Sequence, residues 1–368
     1  MHFCYWPAGE MKTTLRHGYT TGACAAAAAK GAAQMLRRQQ MLDSVEISLP
    51  RGERVPFSLH GQDFDAFSAS CFVVKDAGDD PDVTNGAEIH VSIRRNASRR
   101  PGGGTMVFVS GGAGIGRVTK PGLAVAVGDW AINPVPLRMI TEAVMEEFSL
   151  ACLPETLYVK VSIPDGEERA RKTLNARLGI IGGLSILGTT GIVKPLSAQA
   201  WTDTIDAAID VAIACGSRTV VLSTGRTSEQ IAQGKLQLQE EAFVMMGDHV
   251  GHALRASSRK GVREVVMACQ FAKLVKIACG HEQTHVSSAE LDIATLAGWL
   301  DLDPGAAVFG SLLKRVNTAR QLLDESGNDP ELINLVVCRA KSFAKQLAPD
   351  VRVKVLLAGY DSTVVYFA

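Results

Sequence analysis

A regular alternation of short apolar runs and helix-forming segments fills the second half of this 368-residue sequence. Each apolar run is followed by a loop and then by a segment with helical spacing; the strand-like runs are 178–187, 219–223, 242–246 and 264–269. Strands that recur with intervening helices predict a parallel sheet with helices on both faces. We therefore expect residues 171–368 to form an α/β, Rossmann-like domain with a mostly parallel, doubly wound sheet and a helical C-terminal part.

The first 170 residues follow a different pattern. Thr20 and Thr21 make a threonine available as N-cap for the alanine-rich segment that follows, which is the clearest predicted helix in the chain. Alternating runs such as 44–49 and 88–94 predict strands, and a second helix is expected from residue 132 to about residue 150. Helices and strands that do not alternate regularly indicate an α+β domain over residues 1–170.

Composition excludes several classes of partner. Lys plus Arg and Asp plus Glu balance at 38 each, so no net field would attract nucleic acid or an anionic membrane. No apolar stretch reaches the roughly 18 residues of a membrane span. The eight cysteines form no CxxC pair, which is typical of reduced core thiols. We expect a cytoplasmic protein that binds neither nucleic acid nor membrane; the oligomeric state stays open, a homo-oligomer included.

Glycine-containing loops follow the predicted strands. Because ligands bind beyond the carboxyl ends of strands in a doubly wound sheet, the loops at 188–191 (GTTG), 224–226 (TGR) and 247–251 (GDHVG) predict a site for a nucleotide-like cofactor. The residues expected to contact it are Gly183, Ser185, Gly188, Thr189, Thr190, Gly191, Thr224 and Gly225. The run lacks the GxGxxG spacing, so tight packing of strands and helices explains its glycines equally well.

The segment KDAGDDPDVTNG at 75–86 carries four aspartates within seven residues, at 76, 79, 80 and 82. One interpretation is an Asx-rich turn, and the other is a functional loop. Carboxylates this close raise at least one pKa unless cations pair with them. The ligand order of a calcium loop is missing, and neither His249 with His252 nor His281 with His285 has a third ligand, so no metal site is expected.

A glycine-rich turn at 111–123 joins Arg117 and Lys120, whose side chains could face one anionic group. A surface hairpin would have the same composition. No GxSxG, Walker or HExxH motif occurs in the chain, which argues against most hydrolases and kinases.

Five segments together resemble the cobalt-precorrin-5B C-1 methyltransferase (CbiD) family. They are LRHGYTTGACAAAAAKGA at 15–32, VVKDAGDDPDVTNGAEI at 73–89, GIGRVTKPGLAVAVGDWAINPVP at 114–136, TLNARLGIIGGLSILGTTGIVKPLS at 173–197, and FAKLVKIACG at 271–280 with His285. The sequence departs from the family pattern before KLVK, where Cys269, Gln270, Phe271 and Ala272 are bulkier than the usual glycine-rich opening.

The resemblance implies an enzyme of cobalamin biosynthesis that uses S-adenosylmethionine to methylate C-1 of a cobalt-precorrin tetrapyrrole, converting cobalt-precorrin-5B to cobalt-precorrin-6A. It makes Asp76, Asp79 and Asp80 candidate catalytic residues. Substrate contacts are expected from Lys75, Thr84, Asn85, Arg117, Lys120, Asn133, Lys273, Lys276 and His285. The GTTG and KDAGDD loops are expected to line one cleft. Two alternatives stay open, namely an NAD(P)-dependent reductase of a tetrapyrrole and a non-catalytic corrinoid-binding protein.

Overall fold

The computed structural model describes residues 15–96, 105–148, 156–195, 197–286, 295–296, 298–299, 310–313 and 315–368. The chain divides into two compact units. Unit 1 comprises Met1–Thr119 and Ala124–Ser197, and unit 2 comprises Lys120–Leu123 and Ala198–Ala368. This division differs from the boundary expected at residues 170 and 171, because residues 171–197 pack within unit 1.

Unit 1 is built on a five-stranded sheet and has further short strands outside that sheet. The strands of the whole unit are β1 (Gly18–Tyr19), β2 (Ser44–Ser48), β3 (Arg54–Ser58), β4 (His60–Phe64), β5 (Ser68–Val74), β6 (Glu88–Asn96), β7 (Met106–Gly111), β8 (Arg117–Val118), β9 (Thr156–Ser162), β10 (Ile180–Ile181) and β11 (Ile192–Val193). Its helices are α1 (Thr21–Arg38), α2 (Pro134–Phe148) and α3 (Gly166–Ala170). The main sheet has the order β4-β5-β6-β9-β7, in which only β7 runs parallel to its neighbour.

Helix α1 lies in the centre of unit 1. Thr20 caps it by accepting a hydrogen bond from the N–H of Ala23 at 3.2 Å, as the sequence predicts. The alanines of its first two turns are buried to 0–1% exposure, and α1 packs against α2, β5 and β6. Small side chains let the helix backbone approach the sheet closely, since there is no bulk between them. The predicted α+β organisation of this part of the chain is therefore present.

Unit 2 contains a second five-stranded sheet. Its strands are β12 (Thr219–Ser223), β13 (Phe243–Met245), β14 (Glu264–Gln270), β15 (Arg352–Ala358) and β16 (Val364–Phe367), in the order β13-β12-β14-β15-β16. The first four are parallel and β16 is antiparallel. Its helices are α4 (Ala198–Ala214), α5 (Arg226–Lys235), α6 (Val250–Arg259), α7 (Phe271–Ala278), α8 (Gly310–Leu313), α9 (Ala319–Glu325) and α10 (Pro330–Leu347).

Both faces of the second sheet are covered. Val220 and Leu222 of β12 belong to a core cluster with residues of α6, α7 and α10, whereas Val221 belongs to a cluster with residues of α5. Alternate residues of a strand point to opposite faces, so the three central residues of this strand, 220–222, are all apolar. The predicted strands at 219–223 and 264–269 are confirmed.

The predicted strand at 178–187 is wrong. Only Ile180–Ile181 forms a strand, and it pairs antiparallel with β8 in unit 1. Gly179 and Gly182 flank it with φ of +77° and +87°, a conformation that ends a strand on either side. The GTTG segment consequently does not follow a strand of the parallel sheet.

Among the described residues, no helix has the length and apolar character that crossing a membrane requires. Cys24, Cys71 and Cys269 are buried, and burial raises the pKa of each thiol to about 12. These three cysteines are core side chains, as the sequence predicts.

Candidate functional site

The acidic loop, residues 75–86, is folded around a buried lysine. Lys75 follows β5 with only 1% of its surface exposed, and its ammonium donates a hydrogen bond to Asp82 Oδ2 at 2.6 Å. The backbone N–H and the hydroxyl of Thr84 each donate to Asp82 Oδ1 at 2.7 Å. Lys75 was expected to contact substrate; its burial and its bond to Asp82 instead make it part of the loop framework.

The pKa of Asp82 reflects this arrangement. Burial by itself would raise the pKa of the carboxyl group, but the charge and hydrogen bond of Lys75, with the bonds from Thr84, lower it overall. The carboxylate is therefore ionised at neutral pH. The raised pKa expected of crowded carboxylates is absent at this position because a cation pairs with it.

Two further carboxylates of the loop hold Arg16. The Arg16 guanidinium forms a two-point ion pair with Asp76, in which Nη2 lies 2.9 Å from Oδ1 and Nη1 contacts Oδ2. The backbone N–H of Arg16 donates to Asp79 Oδ2 at 2.6 Å. The hydrogen bond from Arg16 is the largest cause of a lowered pKa at Asp76, which makes this carboxylate a weaker base than an ordinary aspartate.

The acidic loop and the segment before α1 pack backbone against backbone. The N–H of Tyr19 donates to the carbonyl of Asp76 at 2.7 Å. A Cβ on Gly18 would overlap the backbone of Ala77. A Cβ on Gly78, where φ is +68°, would overlap the carbonyl oxygen of Arg16. The Asn85 side chain accepts the N–H of Ala77 at 2.9 Å, so it also supports the loop. Only glycine fits at these two points of approach.

The GTTG segment approaches the same part of the chain from the other side. The N–H of Thr20 donates to the carbonyl of Gly191 at 3.0 Å, and the N–H of Gly22 donates to the carbonyl of Leu187 at 3.0 Å. Strand β11 then pairs with β1. Residues 16–22 are thus bonded to the acidic loop and to the GTTG loop, which places the two predicted loops at one location in unit 1.

The glycines of this loop pack against protein atoms. A Cβ on Gly188 would overlap the side chain of Thr20, and one on Gly191, where φ is +81°, would lie 2.7 Å from Leu49 Cδ2. A Cβ on Gly183 would overlap the backbone of Gly114, and Ser185 is buried. These contacts favour the packing interpretation of the glycines over the predicted close approach to a cofactor.

The start of α1 is also satisfied internally. A helix leaves its first four N–H groups without intrahelical partners. Here the N–H groups of Thr20, Gly22 and Ala23 donate to Gly191, Leu187 and the Thr20 hydroxyl respectively. The Thr190 hydroxyl is 3.2 Å from the backbone N and O of Ile192, which completes the turn. The carbonyls of Leu187 and Gly191, on either side of Thr189, therefore help to cap this helix.

Arg117 and Lys120, which were expected to face one anion, belong to different units. The Arg117 guanidinium lies 3.8 Å from the ring centroid of Trp130. Lys120 forms an ion pair with Glu241 at 2.8 Å, and this lowers the pKa of Glu241. Asn133 precedes α2 and its N–H donates to the carbonyl of Ile186 at 2.9 Å.

In unit 2, two loops meet at the carboxyl edge of the parallel sheet. Thr224 follows β12, and its N–H donates to the carbonyl of Ala268 in β14 at 3.1 Å. The N–H groups of Met246 and Gly247, after β13, donate to the carbonyl of Ser223 at 2.9 and 3.2 Å. A Cβ on Gly225, the N-cap of α5, would meet no atom within 4 Å. Thr224 and Gly225, two of the predicted cofactor contacts, therefore lie at this edge.

A charged cluster lies at the same edge. Lys273 of α7 forms an ion pair with Asp248, and the Thr284 hydroxyl donates to Asp248 Oδ1 at 2.7 Å. Lys273 and Lys276 donate to the carbonyl of Thr284 at 3.0 and 3.1 Å. Burial, followed by repulsion from Lys273, lowers the pKa of Lys276. Three of the predicted substrate contacts, namely Lys273, Lys276 and the exposed His285, are therefore brought together here.

Sequence reasoning missed three residues that the structure places in these clusters. Arg16 holds two aspartates of the acidic loop, Asp248 pairs with Lys273, and the indole of Trp201 donates to the carbonyl of Met246 at 3.2 Å. Position alone gave a signal for Asp248, since it lies in the predicted loop at 247–251, directly after a predicted strand. The partner of Arg16 lies 60 residues away, so no local pattern indicated it.

The chain belongs to the CbiD family, whose sequence model matches residues 8–195. It is 70% identical over 356 residues to a protein named cobalt-precorrin-5B C(1)-methyltransferase from Geobacter sulfurreducens, covering 96% of this chain and 98% of the relative. A protein of the same name from Geobacter metallireducens is 67% identical over 365 residues, with the same coverage. A crystal structure described as cobalamin biosynthesis protein (cbiD) from Archaeoglobus fulgidus aligns with 27% identity and a TM-score of 0.38, covering 73% of this chain and 81% of that chain.

Proposed function

We propose that the chain is a cobalt-precorrin-5B C(1)-methyltransferase of cobalamin biosynthesis, that S-adenosylmethionine is its methyl donor, and that it acts in the cytoplasm. The observation that carries the proposal is the 70% identity to a relative of that name over 98% of the relative's length. The chain would transfer a methyl group to C-1 of the tetrapyrrole and release S-adenosylhomocysteine.

The chemistry makes modest demands on the protein. S-adenosylmethionine supplies a methyl group on a sulfonium, which an electron-rich ring carbon can attack in line. The protein contributes by aligning the two reactants and excluding water, and neither task needs a covalent nucleophile. The lack of a nucleophile motif in the sequence agrees with a reaction of this kind.

We place the donor at the carboxyl edge of the parallel sheet in unit 2. We interpret this sheet as doubly wound, because both its faces are covered and its strand order reverses at β12. Ligands bind at such a reversal, beyond the carboxyl ends of the strands. Thr224 and Gly225 lie at this edge, whereas Thr20 and Leu49 occupy the space beside Gly188 and Gly191.

The acidic loop is proposed to act on the substrate side. Asp79 is exposed and lies in the loop that the family resemblance marks, as do Asp76 and Asp80. A precorrin carries several carboxylates, which basic side chains bind well. In unit 1, Arg117 is proposed to neutralise such carboxylates, with Asn85 and Asn133 as further contacts. In unit 2, Lys276 and His285 are proposed to do so, whereas Lys120 and Lys273 would first have to exchange their bonds to Glu241 and Asp248.

The test is a turnover assay with purified protein, S-adenosylmethionine and cobalt-precorrin-5B. Two products are expected. One is a tetrapyrrole in which a methyl group replaces one hydrogen, and the other is one equivalent of S-adenosylhomocysteine. Replacing S-adenosylmethionine with NADPH tests the reductase alternative, for which a reduced tetrapyrrole would be the product. Tight binding of the tetrapyrrole with no product under either condition would identify a corrinoid-binding protein instead.

A further inference from the structure

Asp248 occupies a particular position in the sheet of unit 2. It follows β13, the strand next to β12, and lies 23 positions after Gly225 in the sequence. In α/β domains that bind nucleotides, an acidic residue about 20 positions beyond the glycine turn, at the end of the neighbouring strand, accepts hydrogen bonds from the ribose. The hydrogen bonds from Met246 and Gly247 to Ser223 hold the start of this loop beside the turn at Thr224.

The carboxylate of Asp248 is held in one orientation. Lys273 and the Thr284 hydroxyl both bond to Oδ1, and the N–H of Thr284 donates to the backbone carbonyl of Asp248 at 3.0 Å. The side chain keeps 24% of its surface exposed. Since both side-chain bonds fall on Oδ1, the second oxygen, Oδ2, can accept bonds from a ligand. Fixed orientation reduces the entropy that such a bond would cost.

An exposed indole packs against Gly247, the residue before Asp248. Trp201, near the start of α4, is 45% exposed, and its ring lies 3.1 Å from where a Cβ of Gly247 would be. Its indole N–H donates to Met246 O at 3.2 Å, which fixes the plane of the ring. The imidazole of His249 lies roughly parallel to it, with ring centroids 6.4 Å apart. Aromatic faces of this kind bind purine rings by stacking.

We propose that Asp248 accepts hydrogen bonds from the ribose hydroxyls of an adenosyl ligand whose purine packs near Trp201. The inference rests on the proposed function, because it assigns the adenosyl part of the donor to these residues. Hydrogen bonds to a charged acceptor contribute about 10-fold or more to affinity, so a ligand that lacks the hydroxyls should bind correspondingly more weakly.

The experiment measures binding of 5′-methylthioadenosine and of its 2′,3′-dideoxy analogue by calorimetry, with the full chain. The wild-type protein should bind the hydroxylated ligand at least about 10-fold more tightly. In Asp248→Asn this ratio should fall below about 3-fold, since a neutral amide oxygen is a weaker acceptor. A ratio of two affinities does not depend on the folded fraction, so partial unfolding of the variant cannot imitate the result.

Asp210→Asn is the matched control. Asp210 also pairs with a lysine, with Lys260 Nζ 2.6 and 2.7 Å from its two oxygens, but it lies in the last turns of α4, near the start of β12. This variant should keep the wild-type ratio. Two results would overturn the ribose assignment alone. One is that the wild-type protein binds S-adenosylhomocysteine but does not discriminate between the two nucleosides. The other is that Asp248→Asn still discriminates between them. No binding of S-adenosylhomocysteine or of either nucleoside by the wild-type protein would overturn the proposed donor as well.

Discussion

Replacing Lys75 with methionine should destabilise unit 1 by about 3 kcal/mol. The substitution keeps the apolar stem of the side chain but leaves the Asp82 carboxylate without its cation. Breaking a fully buried ion pair by removing one partner costs roughly 3–5 kcal/mol. Asp82 is 25% exposed and keeps both hydrogen bonds from Thr84, so the cost should lie at the low end of that range.

Hydrogen-exchange mass spectrometry can measure this change within one unit. A loss of about 3 kcal/mol speeds exchange of amides that open with unit 1 by roughly 100-fold or more, because each 1.4 kcal/mol is a factor of ten. Peptides from β5 and β6 should show the change, and peptides from β12 and β14 should not. In the control Lys260→Met, which breaks a pair more exposed than that of Lys75 with Asp82, exchange in unit 2 should rise by less than about 6-fold, equivalent to 1 kcal/mol.

The contribution of Asp82 to the stability of unit 1 depends on pH with a definite sign. The folded pKa of Asp82 is below its unfolded value, so its stabilisation is present above about pH 4 and is lost as the pH falls through the folded pKa. The deficit of Lys75→Met should therefore shrink as acid protonates Asp82. The double variant Lys75→Met with Asp82→Asn should recover most of the loss at neutral pH. Exchange at wild-type rates in Lys75→Met would refute the reasoning, as would a double variant no more stable than the single one.

Three other changes test the site. Asp79→Asn should lower turnover at least about 10-fold while changing stability by less than about 1 kcal/mol, because an amide oxygen can still accept the N–H of Arg16; a thermal melt that shows an unfolded variant would contradict this. Gly191→Val should destabilise the protein by about 2 kcal/mol or more, since φ is positive and Leu49 lies 2.7 Å from the new Cβ. In the control Gly52→Ala, φ is +90° and the new Cβ would have nothing within 4 Å, so the change should cost only about 1 kcal/mol. If urea unfolding showed equal losses of stability in Gly191→Val and Gly52→Ala, the packing role of Gly191 would be wrong. Trp201→Ala should weaken S-adenosylhomocysteine binding about 10-fold in calorimetry, and unchanged affinity would remove the indole from the donor site.

Much of the fold could be predicted from local patterns. The strand at 219–223 is apolar at its three central positions because both its faces are covered, and that pattern is visible in the sequence. Helix α1 follows from its alanines and from the Thr20 cap. The run at 178–187 misled the prediction because its apolar residues suggest a buried strand, while Gly179 and Gly182 at positive φ break it into a short two-residue pairing.

The candidate site was only partly predictable. The acidic loop was identified from its composition, but the role of each carboxylate depends on Arg16 and Lys75, and the Arg16 contact is set by tertiary structure. The GTTG glycines signalled a close approach correctly, yet the approaching atoms belong to Thr20 and Leu49. A glycine pattern shows where the backbone must lack a side chain. It cannot show whether a ligand or another side chain fills the space.

The most direct measurement uses S-adenosylmethionine with a ¹³C-labelled methyl group and cobalt-precorrin-5B as acceptor. Carbon NMR of the isolated tetrapyrrole should show one labelled methyl group, attached to C-1 of the macrocycle. Label found at another ring carbon, or retained entirely in S-adenosylmethionine while the tetrapyrrole stays bound and unchanged, would contradict the proposed reaction.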